Sequence, residues 1–320
     1  MGVRTVNRLC ANKFAPTKTT LWIEATRHFL ITFSGIIRTK EVAMPAITTK
    51  DEILAKLHQL PAIPAVVQEV IASFKNVHLD SATLAHKISQ DQGLSAKALR
   101  VANSAFYGLP RNVGSVQDAV MVLGVNSIRS LALSAGFVHA FPPTPGNPFD
   151  RHAYWMRSFR VANYAKALAQ CLRQGQQMAY TAGMFYEVGQ LVLDVCIPGQ
   201  FADILQQQKA SGLDMVEIEQ AELGFDHASI GAEMARRWNF PPEIEHAIHY
   251  WRTPEHEPFQ PVTGIVHVAA LLESGLSGDA LINHLPETLR DRLKISWERI
   301  EACVPEKDEL DAAAKLMLAA

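Results

Sequence analysis

From Thr49 onward, apolar residues recur three and four positions apart with few alternating runs, the period of helices that each bury one face. Thr49-x-x-Glu52 forms a capping box ahead of Ile53, Leu54 and Leu57, and Pro61 stops that helix after Leu60. A second helix starts at Pro64 and buries Val66, Val67, Val70, Ile71 and Phe74. Asp80 or Ser81 caps a segment carrying Leu84 and Ile88, and another runs from Leu94 through Leu99 and Val101 to Asn103, with Gly108 suited to a left-handed stop. Ser115-x-x-Asp118 caps a helix through Val120, Met121 and Leu123. Gly124 interrupts it, and Asn126 can cap the next, through Ile128, Leu131, Leu133 and Phe137.

Phe141-Pro142-Pro143-Thr144-Pro145-Gly146-Asn147-Pro148 cannot continue a helix, because prolines remove backbone donors and push the preceding residues into extended conformations. It is the best internal boundary, separating helices over 44–141 from those over 149–320. Beyond it the pattern predicts helices near 149–171, 178–195, 199–211, 214–223, 227–238, 242–251 and 261–274, then a helical C-terminal region. No repeat of fixed period and no low-complexity tract is seen. The expected fold class is therefore all-α.

Composition bounds this picture without changing it. A chain of 320 residues with 48% hydrophobic and 19% charged residues and a net charge of -2 can bury a large core, and offers no globally basic surface for nucleic acid. Residues 1–43 differ: seven Lys/Arg stand against Glu24 and Glu41, a surplus of five that leaves net -7 for the rest. They read as a basic extension, either disordered or an over-extended start with Met44 as the natural first residue. Their longest apolar stretch, Phe29 to Ile37, is shorter than the roughly 20 residues of a membrane span and is not expected to enter a bilayer. Cys10, Cys171, Cys196 and Cys303 show no C-x-x-C spacing and are expected to be reduced, mostly buried thiols of a cytoplasmic protein.

Two blocks carry a resemblance. The first comprises Leu60-Pro61-Ala62-Ile63-Pro64, Ile88-Ser89-Gln90-Asp91-Gln92-Gly93-Leu94, Arg100 to Gly108 and Ala119 to Gly124. The second comprises Trp155-Met156-Arg157-Ser158, Ala182-Gly183-Met184-Phe185-Tyr186-Glu187-Val188-Gly189-Gln190, and Phe225 to Gly231. In order and number these resemble the HDOD family, the HD-related output domains of bacterial signalling proteins, over residues 60 to about 270. The resemblance implies an N-terminal helical lobe packed on a C-terminal lobe like that of the HD superfamily. It also places the superfamily's first metal histidine at Arg157, its His-Asp pair at Tyr186 and Glu187, and its late aspartate at Ala270. His227 and His249 fall where HD-GYP relatives carry further histidines.

None of the four ligand positions matches, and the chemistry follows from the replacements. A guanidinium has donors only and repels a cation, a neutral phenol is a weak ligand, and Ala270 supplies no ligand atom. Glu187 keeps a carboxylate, and opposite charges at two ligand positions suggest an Arg157–Glu187 pair in place of a metal cross-link. His246-x-x-His249 puts two imidazoles on one helical face but lacks the glutamate of a metalloprotease motif, so structural or surface histidines are expected. A cation held by His227, His249 and Glu187 is the alternative. Asn103, Ser104, Phe106 and Tyr107 read either as a partner or lobe-interface surface or as a helix cap packed inward.

The resemblance, with these replacements, implies a non-catalytic signalling module, a pseudoenzyme without catalytic residues, metal or cofactor, that acts through contacts with other signalling proteins. Self-association into a homo-oligomer is compatible with this. One alternative is a metal-dependent phosphohydrolase or cyclic-dinucleotide phosphodiesterase. Another is a sensor whose former metal pocket, lined by Arg157, Tyr186 and His227, takes an anion or nucleotide.

Overall fold

The computed structural model describes residues 49–74, 81–104 and 108–319, and among these every regular element is a helix. The expectations at 1–43, at Asp80, and at Phe106 and Tyr107 lie outside the described residues. The first six helices are α1 (Lys50–Lys56), α2 (Ala65–Ala72), α3 (Ser81–Ser89), α4 (Gln92–Ala102), α5 (Val116–Leu123) and α6 (Val125–Ala140). Then follow α7 (Arg151–Cys171), α8 (Gln176–Phe185), α9 (Val188–Cys196), α10 (Pro198–Ser211), α11 (Met215–Leu223) and α12 (His227–Arg237). The chain continues with α13 (Pro242–Tyr250), α14 (Pro261–Glu273), α15 (Gly278–His284), α16 (Glu287–Leu293), α17 (Trp297–Glu301) and α18 (Lys307–Leu318).

Side-chain caps set several starts. Thr49 Oγ1 accepts from the Glu52 amide at 3.3 Å while Glu52 Oε2 accepts from the Thr49 amide at 3.1 Å, closing the capping box. Ser115 Oγ accepts from the Asp118 amide at 3.0 Å. Asn126 does not cap α6. The helix already starts at Val125, because Gly124 at φ 82° turns the chain in a backbone conformation closed to most side chains, and Asn126 Oδ1 instead accepts from Arg129. Gly108 does adopt a positive φ of 56°, yet α4 ends earlier, at Asn103, whose side chain bridges the Val113 backbone with bonds of 3.0 and 2.8 Å. Met121, placed by its spacing among apolar neighbours, is 75% exposed.

α7 is the central helix. Tyr154, Trp155, Phe159, Val161, Ala162, Ala165 and Leu168 bury nearly its whole circumference, so α8, α14 and α18 can pack around it. The segment over 142–148 is non-helical as expected, and polar bonds fasten it down. Trp155 Nε1 donates to the Phe141 carbonyl at 2.9 Å, and Asp194, almost fully buried, accepts from Asn147 Nδ2 at 3.1 Å and from Arg151 Nε at 2.7 Å. The last helix returns to the first half of the chain, with α18 packing on α4 and α6 as well as α7. Arg160 on α7 holds this closure, its guanidinium bridging Glu273 of α14 at 2.6 Å and Asp311 of α18 at 2.8 Å.

Of the described cysteines only Cys196 is fully buried. Cys171 and Cys303 are half-buried and both donate to the Arg299 carbonyl, at 3.4 and 2.9 Å. Burial, with the Cys171 thiol beside it, pushes the Cys303 pKa up to about 12. No helix among the described residues is long and apolar enough to cross a membrane.

Candidate functional site

The single helix expected over 178–195 is two. It breaks after Phe185, with Tyr186 as the last helical-conformation residue of α8 and Glu187 off-helix at φ -115°, ψ 24°. The break re-aims the chain so that Gly189 lies against α12, where a Cβ would sit 1.8 Å from the His227 carbonyl oxygen. Only a residue without a side chain allows that approach. It brings the Glu187 turn and the start of α12 to one place, which the helical period could not show.

An open cleft of about 680 Å³ lies there. The first turns of α7 contribute Asp150 and Arg157, the α8–α9 break contributes Glu187 and Gln190, the end of α10 and its turn contribute Lys209, Leu213 and Asp214, and His227 and Arg252 complete it. Arg157 faces Glu187: Nε and Nη2 both donate to Glu187 Oε2, at 3.1 and 2.9 Å, and Nη2 reaches Gln190 Oε1 at 3.4 Å. Tyr186 is buried close enough to this pair to act on the guanidinium electrostatically. Burial by itself would lower the Arg157 pKa, but the Glu187 carboxylate and Tyr186 outweigh it and raise it, so the guanidinium stays charged. Tyr186 is 2% exposed, packed edge-on to Trp251 at 4.9 Å, and burial together with the Glu187 charge holds its phenol far above pKa 10, hence neutral.

The opposite feature of the cleft is a buried pair. His227, first residue of α12, is capped by Asp226, whose Oδ1 accepts from the Ser229 amide at 2.8 Å. Glu219 Oε2 accepts from both the His227 amide, at 2.8 Å, and His227 Nδ1, at 2.7 Å, with both side chains essentially inaccessible to solvent. Burial pulls the His227 pKa down, yet the Glu219 charge and hydrogen bond outweigh it and leave the pKa raised. Glu219 was not foreseen. The available signal was a carboxylate on the apolar stripe of Met215, Ile218 and Leu223, a position where a charge needs a partner. Arg252, Asp214, Lys209 and Gln190 were also missed, since they meet only through folding.

The other predicted residues go elsewhere. His249 lies outside the cleft and stacks on Tyr250 at 4.2 Å. Ala270, on α14, does not line the cleft. His246 Nδ1 bonds Thr263 Oγ1 at 2.8 Å and His267 Nδ1 the Trp251 carbonyl at 2.9 Å, so both serve packing. Asn103, half-buried, is bonded to the Val113 backbone, and Ser104 is buried. Among the described residues no three His, Cys, Asp or Glu side chains converge in a way that could hold a metal ion.

A wholly helical unit with this cleft at a broken helix is an HD-like fold. Residues 60–254 match the HDOD domain, and the chain belongs to that family. Among solved structures it is similar to a candidate phosphohydrolase from Shewanella amazonensis SB2B, at 27% identity and TM-score 0.68 over 84% of this chain and 98% of that one. A candidate signal transduction protein from Marinobacter aquaeolei VT8 is also 27% identical, with TM-score 0.70 over 82% of this chain and 61% of that one. An uncharacterized protein of Treponema pallidum (strain Nichols) is 23% identical over 274 residues, 84% of this chain. The chain spans about half (53%) of that relative's length.

Proposed function

We propose that this chain is a non-catalytic regulatory module of bacterial signalling that works by contact with other proteins. The observation that supports this most is the Arg157–Glu187 pair. A guanidinium stands at the position where the family resemblance sets a metal-binding histidine, and it takes up the carboxylate of Glu187. A permanently charged donor there disfavours a divalent ion and cannot activate water as a Lewis acid does. Kinship with a signal transduction protein agrees with this reading.

Kinship with a candidate phosphohydrolase keeps a metal-dependent hydrolase as the rival. One experiment separates them. The purified chain, incubated with manganese or iron and desalted, is expected to retain no stoichiometric cation and to leave a generic phosphodiester and a cyclic dinucleotide intact. Affinity capture from the native cell, with chemical cross-linking, is expected to return a defined protein partner. A retained ion accompanied by turnover overturns the proposal.

A further inference from the structure

At the end of α7 opposite the cleft, two thiols share one acceptor. Cys171, the last residue of α7, donates to the Arg299 carbonyl at 3.4 Å, and Cys303, just past α17, donates to the same oxygen at 2.9 Å. Thiols that converge on a single oxygen are neighbours, although their residues are far apart in the chain. The backbones that carry them are tied as well. α17 packs on α7, and Arg299 Nη2 donates to the Cys171 carbonyl at 3.2 Å while Nη1 donates to the Lys294 carbonyl at 2.8 Å. A disulfide has strict geometry and forms with little distortion only where the fold already holds its two cysteines close. Both residues are half-buried, so a small oxidant can reach them. Cys196 differs: it is fully buried, and its thiol donates to the Lys56 carbonyl in another part of the fold.

We propose that Cys171 and Cys303 form a site of oxidation by peroxide, closing to a disulfide that fastens the end of α7 to the segment between α17 and α18. The Cys171 sulfur attacks one peroxide oxygen, the O–O bond breaks, and the departing hydroxide leaves as water with the thiol proton. A sulfenic acid remains. The Cys303 sulfur then attacks the sulfenic sulfur, the S–O bond breaks, and hydroxide leaves with the Cys303 proton as a second water. Two thiols thus give up two electrons and two protons, and peroxide takes them. The order follows from the Cys303 proton, held to a pKa of about 12 by burial and by the Cys171 thiol. Once Cys171 is oxidised that thiol is gone, and the Arg299 charge, which favours the thiolate, remains. The bond also reaches the closure of the fold, because α18 follows Cys303 and packs on α4, α6 and α7.

Hydrogen peroxide added to the reduced full chain tests this without any protein partner. Remaining thiols are then alkylated in denaturant and the digest is mapped by mass spectrometry. The expected product runs as a single chain on a non-reducing gel and yields one peptide pair joined through Cys171 and Cys303, with Cys10 and Cys196 alkylated. Dithiothreitol restores both thiols. Cys303→Ala is expected to stop at a Cys171 sulfenic acid, trapped by dimedone, and Cys171→Ser to leave Cys303 reduced. Should either variant fail to fold, the map of the parent chain decides alone. Oxidation should raise the parent's urea midpoint by about 1 M, since a cross-link closing so long a loop restricts the unfolded chain, and should leave Cys303→Ala unchanged. Thiols that stay reduced, links through other cysteines or between chains, or Cys171 oxidised further without a link overturn the proposal. A midpoint that does not rise overturns the fastening assigned to the bond.

Discussion

Arg157 and Arg160 sit three residues apart on α7, yet one faces the cleft and the other the closure with α14 and α18. Arg160 divides its guanidinium between two carboxylates and keeps 14% of its side chain exposed. Arg157 meets one carboxylate, on one oxygen, and keeps 33% exposed. The same residue type on the same helix thus serves as a lock in one region and as a presented charge in the other. The difference lies in solvent: an ion pair removed from water is costly to break from one side, because the remaining charge is stranded, whereas water screens a half-open pair and substitutes for it.

The largest effect is expected at the lock. Arg160→Met leaves Glu273 and Asp311 without their shared cation and should cost about 3 kcal/mol in denaturant unfolding, with an unchanged slope. At the cleft, Arg157→Met should cost less, about 1–2 kcal/mol by the same measurement, since it strands one carboxylate rather than two, and Glu187, though only 12% exposed, lines an open cleft that water can enter. A loss at Arg157 matching that at Arg160 would break the distinction and make the cleft a structural region like the other.

The smallest effect sharpens the contrast within the cleft itself, between the half-open Arg157 pair and the closed His227 pair. His227 has its folded-state pKa raised above 6.5, so its pairing stabilises fully below about pH 6.5 and that contribution fades as pH rises through the folded-state value. The stability advantage of the parent over His227→Asn, followed as a urea midpoint against pH, should therefore shrink on going from acid to mildly alkaline conditions. His246, His249 and His267, with pKa values lowered mainly by burial, give the opposite slope, and subtraction removes them because both proteins contain them. Arg157→Met should show no such dependence in this range, as a guanidinium does not titrate there.

The all-helical fold, the capping box at Thr49, the cap at Ser115 and the non-helical proline segment were legible because each depends on neighbours a few residues away. So was the presence of Tyr186-Glu187 where the resemblance leads one to expect a His-Asp pair, which is a matter of residue identity. What period alone could not reveal was the break between α8 and α9, since Val188 to Val195 continues the apolar pattern and only contact between Gly189 and the α12 backbone requires the turn. Nor could it show that Glu219 lies under His227, or that Arg252 and Lys209 face the same space while His249 and Ala270 do not. Local spacing determined which residues are helical. The fold decided which charges meet and which stay open to water, because a charge's partner and its solvation are set by segments distant in the chain.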